Sequence, residues 1–145
     1  MNISFGVTVP FVSQLGFRLQ KFDGGASEIV FAPRPEHCNS FGVTHGGAVM
    51  TLLDVAMATA ARSVQPGSGV VTIEMKTSFM RPAPAQPGHP LLARGRLLHR
   101  TRGMAFVEAT IHDHEGQLCA QSSGTFKYVS RAVQPGQKQG PLPTD

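Results

Sequence analysis

The sequence predicts an α+β fold in which one antiparallel sheet of about five to six strands wraps around a single long helix. Three observations carry this prediction. Residues 39–61 hold the longest apolar run in the chain, with the breadth of a buried helix. From residue 69 onward the apolar period drops to two and recurs in three segments separated by turn signals. Ahead of the helix, two short alternating runs flank Asp23-Gly24-Gly25. One nearly all-apolar helix and one set of antiparallel strands bury each other best when the sheet covers the helix.

Taken in order, residues 1–9 read as a loose lead-in. Pro10 opens a short helix over 10–17, where Phe11, Gln14, Leu15 and Phe17 have helical spacing, although 15–22 reads equally as the start of a strand. The run 26–32 completes a hairpin, with Ile29 and Phe31 on one face, and Pro33 and Pro35 stop it. Residues 36–44 form a loop, and Thr44 or His45 caps the helix. The helix runs from Gly46 to about Ser63 with Val49, Leu52, Leu53, Ala56 and Ala60 on its apolar face, and Pro66-Gly67-Ser68-Gly69 ends it.

In the next strand Val71, Ile73, Met75, Thr77 and Phe79 share one face, and Val70, Thr72, Glu74 and Lys76 the other. Residues 82–90 are a proline-rich connection. Strands at 91–100, 104–113 and 118–129 follow, joined by turns at Thr101-Arg102-Gly103 and His114-Glu115-Gly116. Residues 130–145, rich in Gln, Gly and Pro, read as a disordered tail, so one domain is expected over 1–129.

Composition narrows the function. The 145 residues are 41% hydrophobic and 15% charged, which suits a globular core. Two cysteines, Cys38 and Cys119, make neither a disulfide framework nor a zinc spacing, so a reducing, cytoplasmic setting is expected. The N-terminus lacks the features of a signal peptide, and no apolar run reaches membrane-spanning length. The formal charge of +4 fits ordinary surface basicity or an anionic, nucleotide-bearing ligand. Basic residues do not cluster with aromatics, which argues against nucleic acid. His112 and His114 share a strand face but have no third partner, so no metal site is expected.

One carboxylate, Asp54, interrupts the apolar helix, and between His37 and Ala61 it is the only formally charged residue with His taken as neutral. Such a group is costly unless paired or functional. Gly46 and Gly47 leave backbone N–H groups uncovered at the helix's positive end. A buried carboxylate and an open helix N-terminus together form a candidate acyl-transfer site. The bland readings are an Asp54 satisfied by neighbouring backbone or hydroxyl groups, a His45 that only caps, glycines that only pack, and an Asn39 that only makes a turn.

The pattern Asn39-x5-His45-Gly46-Gly47-x6-Asp54-x-Ala56 resembles the signature of hotdog-fold acyl-CoA thioesterases of the phenylacetate-pathway type. Residues 72–76 and 79–83 resemble that family's next strand, and 95–126 its closing meander, so the resemblance spans roughly 10–129. It implies hydrolysis of an acyl-CoA thioester with no cofactor. Asp54 then matches the nucleophile or general base, and Gly46 the backbone N–H that polarises the carbonyl. His45 and Asn39 match residues that orient the thioester or water, and Thr72 a hydroxyl near the water. Gly47, Met50, Phe79 and Arg81 are candidate substrate-binding residues. Met50 and Phe79 stand equally well as core, and Arg81 as ordinary surface.

Gly46 and Asp54 lie eight residues apart on the helix, roughly 12 Å along its axis. Both must come within about 3 Å of one reacting group. One helix hardly supplies both, so the spacing predicts a two-fold homodimer with shared sites, and leaves open whether two dimers pair into a tetramer. Asn39, His45 and Gly46 come from one chain, and Asp54 and Thr72 from the other. A hydratase or dehydratase of acyl thioesters, and a non-catalytic acyl-CoA-binding dimer, are the competing readings on the same fold.

Overall fold

The structure, a computed structural model, describes residues 2–130. All but Ser130 of the expected tail lies outside the described residues. Pro10 occupies the first turn of α1 (Pro10–Leu15), and Gly16 ends it in a left-handed conformation at φ 78°. The strand then begins at Arg18. β1 (Arg18–Asp23) and β2 (Ala26–Phe31) form a hairpin in which Asp23 pairs with Ala26. Gly24 and Gly25, at φ 59° and 86°, supply the two positive-φ residues that such a tight turn needs.

α2 (Gly46–Arg62) ends one residue before the predicted Ser63, which caps its C-terminus. β3 (Gly69–Phe79), β4 (Leu91–Arg100), β5 (Met104–His112) and β6 (Leu118–Val129) complete a six-stranded antiparallel sheet in the order β1-β2-β4-β5-β6-β3. The expected wrapping of sheet around helix is what forms. Val49, Leu52, Leu53, Ala56, Met57, Ala60 and Ala61 on α2 are buried against Ile29, Phe31, Ala93, Val107, Ile111 and Phe126 of the sheet. At about 25 cal/mol per Å² of apolar surface, this contact is the main source of stability.

Small residues set how close the helix lies. The Ser27 hydroxyl donates to the Ala56 carbonyl at 2.7 Å, and a Cβ at Gly95 would collide with both groups. The Tyr128 hydroxyl donates to the Ala61 carbonyl at 2.7 Å near the helix's other end. These two bonds fix the axial position of α2, and therefore the position of Asp54.

Two sequence expectations change here. The described part of the lead-in, residues 2–9, is not loose: Ile3 bridges to Leu19 of β1, and the Arg62 guanidinium on α2 donates to the Phe5 carbonyl at 3.2 Å. The face assignment in β3 also breaks. A bulge between Thr72 and Glu74 inserts an extra residue, so Val70 and Thr72 lie on the helix side with Met75, while Val71 and Ile73 are exposed. β3 is eleven residues long and forms one edge of the sheet, where no described residue pairs with its outer side.

Replacing Gly95 with Ala should cost about 2–3 kcal/mol through overpacking against the Ala56 carbonyl. Urea unfolding measures it, and a variant as stable as the parent would show that the helix has room to move away.

Candidate active site

The loop before α2 is built by Asn39. Its Oδ1 accepts from the Phe41 N–H at 2.9 Å and the Val43 N–H at 3.3 Å, and its own N–H donates to the Val43 carbonyl. Gly42, at φ 76°, lets this loop close. The Thr44 N–H donates to the Ala83 carbonyl and the His45 N–H to the His37 carbonyl, which anchors the start of the helix.

Of Thr44 and His45, it is His45 that caps. Its Nδ1 accepts from the Gly47 N–H at 2.8 Å, so that nitrogen is unprotonated in this arrangement. The Ala48 and Val49 N–H groups turn back to the His45 carbonyl. Among the described residues, the Gly46 N–H alone at this end meets no acceptor. The two glycines differ in kind. A Cβ at Gly47 would press on the His45 ring at 3.1 Å, so the cap itself favours glycine there. A Cβ at Gly46 would make only ordinary 3.8 Å contact with the Phe79 ring. Among the described residues nothing demands glycine at 46, which lines an open cavity.

Asp54 sits in mid-helix, partly buried, and its Oδ1 accepts from the Thr72 hydroxyl at 2.6 Å. Burial raises its affinity for a proton above that of an ordinary carboxylate, and the Thr72 bond partly offsets this. Ionised Asp54 therefore weakens the fold at neutral pH, and that penalty is relieved as pH falls through the raised value.

The candidate residues divide between two cavities. Asp54 and Met50 line one of about 780 Å³, with Met75 and Val70 of β3 beside them. Asn39, Gly46, Phe79 and Arg81 line another of about 480 Å³. His45 and Gly47 stand at the helix end as cap and capped group. One chain thus brings Asp54 to Thr72, and Gly46 to Asn39, Phe79 and Arg81, but does not join the two sets. Sequence reading singled out Phe11 only for its helical spacing and did not connect the alternating Phe5, Val7 and Val9 with a cavity at Asp54, because alternation alone does not say what a segment faces.

Residues 41–120 match the family model described as the thioesterase superfamily. The chain belongs to the thioesterase superfamily. This thioesterase is 29% identical over 91 residues to human acyl-coenzyme A thioesterase 13, covering 62% of this chain and 64% of that one. The structure of the conserved Pseudomonas aeruginosa protein PA5202 superposes with a TM-score of 0.79 at 27% identity, covering 86% of this chain and 97% of that one. The Escherichia coli PaaI protein of the phenylacetic acid degradation operon superposes at 0.78 and 22% identity, over 85% and 86% of the two chains, and shares the hotdog fold. Thioester hydrolysis is the chemistry of this superfamily. No described helix is long and apolar enough to cross a membrane.

The Thr72 bond predicts a titration effect. Removing it with Thr72→Val should raise the pKa of Asp54 further, seen as a carboxyl titration displaced to higher pH in NMR. A displacement to lower pH would show that Thr72 does not hold the ionised form.

Proposed function

We propose that this protein hydrolyses acyl-CoA thioesters to a free acid and CoA, with Asp54 as general base and the Gly46 N–H as oxyanion donor, in sites shared across a two-fold dimer. The observation that carries the reading is the division of one chain's candidate residues between two cavities, with the carboxylate in one and the free helix-terminal N–H in the other. A second copy, with its helix antiparallel to the first, supplies each half with its complement. The long, unpaired outer edge of β3, carrying exposed Val71 and Ile73, supports such an association.

In this reading the Thr72 hydroxyl occupies Oδ1 of Asp54, leaving Oδ2 to accept a proton from water. The water oxygen attacks the thioester carbonyl carbon, and its proton passes to Asp54. The negative charge that develops on the carbonyl oxygen accepts a hydrogen bond from the partner's helix end, where a preorganised donor is worth a few kcal/mol. Collapse breaks the C–S bond, and the departing thiolate takes the proton from Asp54. The raised proton affinity of Asp54 favours the base role. Asn39 and Arg81 beside Gly46 are placed to meet the polar CoA arm.

The Asp54→Asn protein should fold and lose about a hundredfold or more in kcat. Thiol release from a panel of acyl-CoAs measures it. Turnover equal to the parent's would remove hydrolysis through this site and leave a binding role.

A further inference from the structure

Thioester hydrolysis at Asp54 leaves open which acyl group the protein takes. We propose that the cavity between residues 5–12 and the outer face of α2 holds the acyl chain, and that it selects an elongated aliphatic one. This rests on the hydrolysis reading above and adds the substrate class to it.

The N-terminal segment is held as a strap. The Ile3 N–H donates to the Leu19 carbonyl at 2.7 Å, Arg62 holds the Phe5 carbonyl, and the Arg34 guanidinium donates to the Gln14 carbonyl at 2.7 Å. Between these anchors Val7, Val9 and Phe11 remain 45%, 43% and 57% exposed while lining the cavity. Three apolar side chains on a tethered segment, facing Val55 and Ala58 of α2, form a surface that favours an apolar occupant.

The chemistry of the walls decides which arm of the substrate enters. A thioester carbonyl at Asp54 carries an acyl group on one side and a polar, phosphate-bearing arm on the other. Among the described lining residues the only charged side chains are Asp54 and Arg62. Arg62 is engaged by the Phe5 carbonyl and lies over the Phe22 ring at 5.6 Å. The cavity therefore offers little to phosphates and much to hydrocarbon.

Shape decides the class of acyl group. The cavity follows α2 from Asp54 to Arg62, a run of about 12 Å at the helical rise. Its volume of about 780 Å³ lies in the range that encloses drug-sized ligands, so an acetyl group would leave most of it to water. A flexible chain laid along the helix covers Val55, Ala58 and the strap together. The strap precedes the 41–120 stretch that matches the family, whereas the α2 wall of the cavity lies inside it.

Steady-state kinetics on acetyl-, hexanoyl-, decanoyl- and phenylacetyl-CoA test the assignment with the full-length protein. The expected kcat/KM rises from acetyl to decanoyl and is higher for decanoyl than for phenylacetyl. Val9→Trp, which fills the cavity from an exposed position, should lower the decanoyl-to-acetyl ratio about tenfold. Phe11→Ala, which removes wall surface without adding bulk, should lower the same ratio and serves if the Trp variant fails to fold. A flat series, a preference for phenylacetyl-CoA, or a ratio unmoved in the folded variants overturns the acyl assignment and leaves hydrolysis standing. Turnover of none of the four overturns the hydrolysis reading itself.

Discussion

A straight helix keeps its terminal N–H groups and its mid-length side chains at a fixed separation, and in this protein that constraint governs the site. α2 cannot bend Gly46 toward Asp54, because its inner face is locked to the sheet from Val49 to Ala61. The Ser27 and Tyr128 hydroxyls hold its axial position at two carbonyls. The two candidate groups therefore open into separate cavities. In the proposed mechanism the site is completed by a second helix running the other way, which a two-fold axis beside the unpaired edge of β3 would provide.

Keeping Asp54 in a largely apolar helix has a thermodynamic cost. Burial disfavours its charge, and the single Thr72 hydroxyl offsets that only in part. The same burial suits the general-base role proposed for Asp54. The helix end shows a parallel economy. His45 satisfies the Gly47 N–H, the His45 carbonyl serves Ala48 and Val49, and Gly46 is left with an unused donor. The cap stabilises this end, while the free N–H is the donor that the proposed mechanism uses.

Most of the fold was legible because its signals are periodic. The α2 stripe, the Asp23-Gly24-Gly25 turn and the three long C-terminal strands follow directly from residue spacing. The face of β3 was not, because the apolar alternation of Val71, Ile73 and Met75 runs straight through the bulge after Thr72. Nothing in side-chain chemistry marks the extra residue, and only pairing with β6 reveals that Thr72 turns toward Asp54. The strap was illegible for a different reason. Its apolar residues alternate at 5, 7, 9 and 11 without showing what they face, and its anchors, Leu19, Arg34 and Arg62, lie far away in sequence. Within the site, the carboxylate and the glycine pair stood out by contrast with their surroundings. Asn39 could be flagged, but its work in shaping the loop required coordinates.

The shared site is tested most directly by subunit exchange. Gly46→Pro removes the candidate N–H at the helix position that best tolerates proline, and Asp54→Asn removes the carboxylate. Each variant alone should be nearly inactive. Mixed in equal amounts and allowed to exchange, they should regain about a quarter of the parental activity, because half the dimers are mixed and each of those holds one intact site. Exchanged mixtures that stay as inactive as the separate variants would contradict a site built from two chains.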